Sequence, residues 1–365
     1  MASGPNVSGE FQSEGGEDPV RRRELLARAA GLAGAAAFGL PVTSRAQALT
    51  DPGVHLDDLL CGSAGAEPVP LTTLRAAATQ ARACFQAARY ERLTAGLPRL
   101  IATATATRDS ADGDERAAAS TLLADAYIAA ANFVIKLNDD PFARTLADRA
   151  LQAAQAGDDP LTVADGRRAV ATVLRRTGRP AKARELLIHA AHDIEPGGDP
   201  SPDQLSMYGT LLEVAAYTAA VDGNRPAATE LIGEAKTTAT RLRRDANYRF
   251  TAFGPAGVAL YQVSIAQVLG DNGTAIEHAK TLRPAAIPTA ERQGRYWIDV
   301  ARAFHQWGKP GPCYRALLAA ERAAPAEVRY RPPVHRIAED LLRADRRHSL
   351  PGLPAFARRI GVPAA

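Results

Sequence analysis

Residues 295–325 read RYWIDVARAFHQWGKPGPCYRALLAAERAAP, and this stretch decides the fold. Trp297 and Phe304 are seven residues apart, which places two large side chains on one face of a helix. Gly308 can take the left-handed conformation that ends a helix, and small residues such as Ala320 follow it. Small side chains let two helix backbones approach closely. The stretch therefore predicts two antiparallel helices joined by a tight turn.

This order of residue types is that of a tetratricopeptide repeat, which Pro325 would close. One such unit cannot bury its own apolar face, so it predicts a stacked array. Weaker copies can be placed around five earlier turn residues, which are Ala88, Asn138, Gly178, Gly223 and Gly270. Successive turns are 50, 40, 45, 47 and 38 residues apart, whereas the usual period is about 34. We therefore predict an all-α, irregular tetratricopeptide-like α-solenoid of antiparallel helix pairs, with a generic alanine-rich helical bundle as the alternative.

Composition supports helices and argues against a nucleic-acid partner. Aromatic residues make up only 5% of a chain that is 46% hydrophobic, which favours close packing of alanine-rich helices over a sheet. The net charge of +4 is too small and too dispersed to indicate a nucleic-acid interface. Arg175 and Arg176 follow an apolar helical run, so we interpret them as cations that complement a helix C-terminus.

The amino-terminal segment allows two interpretations. Residues 1–20 are rich in Gly, Ser and Glu and are predicted to be disordered. Residues 21–70 are predicted to form a junction helix and linker before a repeat domain at 71–365. However, three arginines, a short apolar run and the motif Ala46-Gln47-Ala48 also match a twin-arginine export signal cleaved after Ala48. The apolar run is too short for a membrane span, and we predict none.

Four stretches carry a resemblance to a known family, and together they extend from Asp18 almost to the end of the chain. They read DPVRRRELLARAAGLAGAAA, NYRFTAFGPAGVALYQVSIAQVLGD, RQGRYWIDVARAFHQWGKP and LPAFARRIGVPA. The chain resembles the carboxy-terminal region of actinobacterial transcriptional regulators, in which an XRE-type helix-turn-helix domain precedes tetratricopeptide-like repeats. The resemblance implies a cytoplasmic regulatory module in which RRRELL is a junction. Only about 20 residues precede this junction, too few for a helix-turn-helix, so direct DNA binding is not expected.

No motif indicates catalysis or a cofactor. The sequence lacks GxxxxGK[ST], GxGxxG, HExxH and GxSxG, and none of Cys61, Cys84 and Cys313 belongs to a CxxC pair. His189 and His192 can share a helix face, but two histidines are too few for a metal site, and a solvated helix end is the favoured interpretation. We expect a non-enzymatic protein with no catalytic residue, metal or cofactor.

A concave groove is the expected place for a ligand, because the first helix of each pair lines it in such arrays. Polar and aromatic residues beside the seams are candidates, with core packing as the alternative for each aromatic. Gln262 stands out because it occupies an apolar position. The candidates are Tyr127, Asn132, Lys136, Tyr208, Tyr217, Tyr248, Arg249, Tyr261, Gln262, Tyr296 and Arg302.

The sequence thus predicts a regulatory or ligand-sensing module of the transcriptional-regulator type, acting in the cytoplasm. It would bind a peptide, a small signal or a partner protein in the groove, and a homodimer is left open. The alternative is a twin-arginine-exported tetratricopeptide adaptor that acts outside the cytoplasm.

Overall fold

The computed structural model describes residues 37–40, 66–345 and 349–363. Within these ranges the chain forms α-helices and short 3-10 helices, and no strand. The all-α, solenoid-like fold is therefore confirmed. Residues 1–36 and 41–65, which hold most of the predicted junction and Cys61, lie outside the described residues.

The helices follow one another with short connections. They are α1 (Leu71–Gln86), α2 (Tyr90–Ser110), α3 (Gly113–Lys136), α4 (Asp140–Gly157), α5 (Pro160–Arg176), α6 (Pro180–His192), α7 (Pro202–Val221), α8 (Arg225–Leu242), α9 (Pro255–Val268), α10 (Asn272–Thr281), α11 (Ala290–Gln306), α12 (Pro310–Ala323), α13 (Pro325–Arg329), α14 (Pro332–Ala344) and α15 (Leu353–Arg359). The 3-10 helices are Ala37–Gly39, Tyr248–Phe250 and Pro284–Ala286.

Six helix pairs, from α1/α2 to α11/α12, form the body of the array. Each first helix also packs against the first helix of the next pair, so that α1, α3, α5, α7, α9 and α11 make one continuous layer. The second helices contact mainly their own partner and the first helix that follows. The first helices therefore form the inner, concave side of the array.

The turns between paired helices lie where the sequence places them. All six predicted turn residues have positive φ, between 53° and 81°. Four are glycines, which adopt this conformation at little cost, whereas Ala88 and Asn138 carry side chains. Pairs of helices at these positions are thus confirmed, although the assignment to the tetratricopeptide class stays a prediction.

Helix α3 is a first helix that is largely apolar because other helices of the array surround it. It is long and apolar enough to cross a membrane by length and composition, but 72% of its most apolar window is buried. It packs against α1, α2, α4 and α5. Its composition is that of a helix in the middle of a packed array.

Side chains cap several helix starts. The Asp139 and Asp159 carboxylates accept hydrogen bonds from the backbone of α4 and α5, and Thr289 caps α11. Ser201 caps α7, because its hydroxyl accepts the hydrogen bond from the Gln204 backbone N–H. Asp203 lies within the first turn, where its charge complements the helix dipole.

The array curves until its two ends meet. Tyr330 donates a hydrogen bond to Glu91 at 2.7 Å, and Tyr90 donates one to Glu327. Helix α1 also contacts α11 and the 3-10 helix Tyr248–Phe250. The sequence predicts a long open groove, but closure and this inserted loop shorten the concave space.

A short piece of the predicted junction is part of the core. Phe38 and Leu40 are buried, and they pack into the apolar cluster of α1 and α2. The ring of Phe38 lies directly on Gly96, where an added Cβ would meet it at 2.1 Å. This contact needs a residue without a side chain at position 96.

We predict that Phe38→Ala lowers the free energy of unfolding by about 3 kcal/mol, because it removes a buried ring and leaves a cavity. Urea unfolding followed by circular dichroism measures this. Ile188→Ala is the control, since Ile188 is 42% exposed and should change stability by less than about 0.5 kcal/mol. Equal stability of Phe38→Ala and the parent would contradict the packing of this segment.

Candidate binding site on the concave face

Three polar clusters line the inner layer of first helices. The first surrounds Arg82, the second surrounds Lys136, and the third is a run of arginine and tyrosine side chains on α5, α7, α9 and α11. The first two are closed networks in which each central cation is paired. The third is different because its cations outnumber its carboxylates.

Arg82 on α1 bridges to carboxylates on α3 and α5. It lies 2.9 Å from Asp165 and 3.5 Å from Asp125, and Arg168 lies 2.7 Å from Asp165 on its other side. Burial opposes ionisation of Asp165, but Arg168 and Arg82 outweigh it and lower its pKa to about 2. This network ties three first helices together.

The loop before α9 fills the space beside Arg82. Asn247 and Gln86 exchange hydrogen bonds of 2.7 and 3.0 Å, and Arg249 donates to Asp159 and Thr162 at 2.7 Å each. The ring of Phe250 lies under the Arg82 guanidinium, 5.2 Å away. This loop therefore occupies one half of the concave face.

Arg249, Phe250 and Ala252 in that loop all have positive φ, which is costly for residues with a Cβ. Contacts on both sides hold them there. Phe253 is fully buried against Gly209 of α7. The loop is thus a packed part of the interior.

Lys136 joins the middle of the array to its end. It forms ion pairs with Glu291 of α11 and with Glu327 of α13, the latter at 2.8 Å. Burial, and then Arg331, lower the pKa of Lys136, while the two carboxylates act in the opposite direction. Tyr90 also donates to Glu327, and Arg331 lies 2.7 Å from it. This buried network links α2, α3, α11 and α13.

Lys136→Met should lower the free energy of unfolding by about 3–5 kcal/mol, because it leaves Glu291 and Glu327 buried without their central cation. Chemical denaturation measures the loss. The matched control is Lys182→Met, whose ion pair with Glu185 is exposed and is expected to contribute little to stability because water screens it. Similar losses in the two variants would show that the Lys136 network is not structural.

The third cluster, which we call the arginine–tyrosine stack, consists of Arg175, Tyr217, Tyr261, Arg292 and Arg295. Guanidinium groups and rings alternate in it. Arg175 lies 4.8 Å and Arg295 5.6 Å from the centre of the Tyr217 ring. Arg295 and Arg292 lie 4.5 and 5.6 Å from the Tyr261 ring, and the two rings meet edge to face at 6.4 Å. Four consecutive first helices contribute to it.

The inner end of the stack is closed by hydrogen bonds. Arg292 and Arg295 donate to the Tyr261 hydroxyl at 3.4 and 3.2 Å. Burial opposes ionisation of Tyr261, but the two guanidiniums, Arg295 first, lower its pKa to about 8. Asp299 lies 3.6 Å from Arg295 and accepts a hydrogen bond from Ser264. These contacts orient the tyrosine hydroxyl and both arginines.

The outer end of the stack lacks a counter-ion. Among the described residues Arg175 forms no ion pair, and it donates only to the Thr218 hydroxyl at 3.3 Å. Burial, and then Arg176 and Arg295, lower its pKa despite the opposing influence of Tyr217 and Tyr261. Arg175 is half-buried, and no carboxylate among the described residues neutralises it.

A buried glutamate adjoins the inner end. Glu213 of α7 is 1% exposed, and its Oε1 has no hydrogen-bond partner among the described residues. It faces a small cavity of about 10 Å³, which has room for about one water molecule. Tyr261, Arg292, Gly257 and Ile287 also line this cavity. Burial raises the pKa of Glu213 to about 8, although Arg292 and Arg295 oppose this.

Glu213→Gln should stabilise the protein more at pH 8.5 than at pH 5, by on the order of 1–3 kcal/mol. The pKa of Glu213 rises from 4.5 to about 8 on folding, so the wild-type protein loses stability as the pH rises through this window. Glutamine keeps the shape and does not titrate, and Tyr261 titrates in both proteins. Urea unfolding at the two pH values measures the difference.

The exposed Glu230→Gln variant is the control for that experiment, because Glu230 lies on the outer helix α8. Its stability difference from wild type should be independent of pH. An advantage of Glu213→Gln that is equal at pH 5 and pH 8.5 would contradict a protonated Glu213.

The structure brings together only part of the predicted groove residues. Tyr217 and Tyr261 belong to the stack, and Arg302 lies 3.8 Å from Asp299 beside it. Tyr248 and Arg249 belong to the inserted loop, and Lys136 lies in the buried network. Asn132 and Gln262 are half-buried. The other three predicted tyrosines, Tyr127, Tyr208 and Tyr296, are buried, as Tyr261 is. Tyr208 donates to Glu234, and Tyr296 donates to the Ala279 carbonyl at 2.9 Å.

Sequence reasoning missed the charged members of the site. Arg176 does pair with Asp140 near the helix end, but Arg175 faces the stack. Glu213 had a detectable signal, because it is the one charged residue in the apolar run LLEVAAYTAA. No signal in the sequence distinguished Arg292 and Arg295, since arginines are common on the exposed face of a helix.

Comparisons with known proteins do not identify a family for this chain. No protein-family model matches the chain, and no curated protein is significantly similar to it. Among the described residues, no group of three or more His, Cys, Asp or Glu side chains could hold a metal ion. The function must therefore be argued from the geometry of the concave face.

Proposed function

We propose that this protein is a non-enzymatic regulatory module that senses a ligand on its concave face. The ligand would be a peptide, a small signal or a segment of a partner protein. The observation that carries the proposal is the arginine–tyrosine stack. It spans four consecutive first helices, it is half-buried, and its cations are not balanced by carboxylates among the described residues.

The rest of the concave face supports a short site rather than an extended groove. The loop before α9 and the Lys136 network occupy the space beside α1 and α3. The stack on α5, α7, α9 and α11 lies on another part of the inner layer. Closed networks on either side hold its helices in place, which favours recognition by a preorganised site.

A role in transcriptional signalling is the second part of the proposal, and the resemblance to actinobacterial regulators supports it. In that setting, ligand binding between neighbouring first helices would change how the pairs stack.

We also propose that the protein acts in the cytoplasm. The supporting observation is the burial of Phe38 and Leu40 in the core. Cleavage after Ala48, as an export signal requires, would remove both side chains. Sequencing of the amino terminus from cells tests this: an intact terminus is expected, and a terminus at Leu49 would contradict it.

Retention of a ligand by the full chain tests the binding function. We expect protein purified from actinobacterial cells to carry a small molecule or peptide that native mass spectrometry detects. Tyr217→Ala should reduce the retained fraction at least tenfold, because Tyr217 is the ring shared by two arginines. Ile188→Ala should retain it fully. An empty wild-type protein, or equal retention by Tyr217→Ala, would contradict the proposal.

A further inference from the structure

The arginine–tyrosine stack is not only polar but carries an excess of positive charge. It contains three arginines, and the carboxylate of Asp299 beside it is shared between Arg295 at 3.6 Å and Arg302 at 3.8 Å. Glu291 approaches Arg292 at 3.6 Å but is held by Lys136. Glu213 stays protonated near neutral pH because of burial. The balance leaves an excess of positive charge on the concave face.

The excess is concentrated at the Arg175 end. Arg292 and Arg295 share the Tyr261 hydroxyl, and Arg295 also reaches Asp299. In the part of the chain that the structure describes, the partners of Arg175 are the Thr218 hydroxyl and the Tyr217 ring. Because Arg175 and Arg295 both stack on Tyr217, two guanidiniums converge on one side chain. Fixed, planar guanidinium groups suit bidentate recognition of carboxylate and phosphate groups.

A second polar group adjoins the other end of the stack. Glu213 is almost fully buried, its Oε1 has no hydrogen-bond partner among the described residues, and it faces the small cavity that Arg292 and Tyr261 also line. Buried polar atoms in proteins are almost always satisfied by a protein group, a water or a ligand. The cavity has room for about one water, which can satisfy Glu213, so the anion is placed at the Arg175 end.

We infer that the stack binds an anionic ligand through a carboxylate or phosphate group that Arg175 and Arg295 hold, with the body of the ligand against Tyr217. This inference deepens the proposed sensing function and rests on it for its biological meaning. The arginines recognise a pair of anionic oxygens. These oxygens can belong to a carboxylate or to a phosphate, and the experiment below distinguishes the two.

The test measures anion binding by the full chain with two probes, inorganic phosphate and succinate. Melting temperature is followed at pH 7 in each probe and in sodium chloride of equal ionic strength. We expect at least one probe to raise the melting temperature of the wild-type protein above the chloride value. A response to phosphate alone identifies a phosphate site, and a response to succinate alone identifies a carboxylate site.

Two variants test whether the probe binds at Arg175. Arg175→Gln should weaken binding of the active probe at least tenfold in calorimetric titration, because it removes a charge-assisted contact. Arg179→Gln is the matched control, since Arg179 is exposed at the start of α6 and the variant changes the net charge equally. It should bind the probe as the wild type does.

Folding of the key variant is checked in the absence of probe. Arg175→Gln should melt at or above the wild-type temperature in chloride, because an uncompensated cation has been removed. Arg175→Lys is a second variant that keeps the charge but loses the planar fork, and its affinity should fall between those of wild type and Arg175→Gln.

The outcomes separate this inference from the proposed function. No response of the wild type to either probe, or equal binding by Arg175→Gln and wild type, overturns the anion site. If Arg175→Gln still retains the cellular ligand detected by native mass spectrometry, the anion site is also overturned, although ligand sensing stands. Loss of both probe binding and cellular ligand in Arg175→Gln, with Arg179→Gln unaffected, supports the inference.

Discussion

Direct packing of the first helices against one another is the constraint on which the rest of the structure depends. The loop before α9 packs onto this layer as closely, because a Cβ added at Gly209 of α7 would lie 2.0 Å from the Phe253 ring. Because the inner layer is continuous, side chains that do not enter the seams must face the concave space. The polar clusters there follow from this geometry. They contain residues from helices that are distant in sequence.

Closure of the array turns that inner layer into an interior. Lys136, Glu291 and Glu327 bury their charges together, which is stabilising only while all partners are present. The inserted loop occupies a further part of the space. The arginine–tyrosine stack differs from its neighbours because no carboxylate among the described residues neutralises Arg175. The proposed binding site is thus the polar cluster whose charges the described part of the chain leaves unbalanced.

Particular residues show how far the sequence predicts this site. Tyr217 and Tyr261 could be found, because aromatic residues beside a seam face either the core or the groove. Tyr296 was predicted by the same argument, but it lies in the core. A shift of one position along a helix is enough to move a side chain from the groove to the core. Arg175 was misinterpreted because a cation at a helix end is already explained by the helix dipole. Whether an arginine meets a carboxylate or a ring depends on a neighbouring helix that local sequence does not specify.

The sequence by itself determined the helix pairs, their order and their turns. Those features are local: seven-residue spacing sets a helix face, and residues such as Gly308 and Asn138 take the left-handed conformation within a few residues of the helix they end. The tertiary structure alone decided the closure of the array and the composition of the stack. These depend on contacts such as Arg82 with Asp165 and Tyr90 with Glu327, which join residues 83 and 237 positions apart. Such contacts arise from the cumulative curvature of all the pairs, which no single repeat encodes.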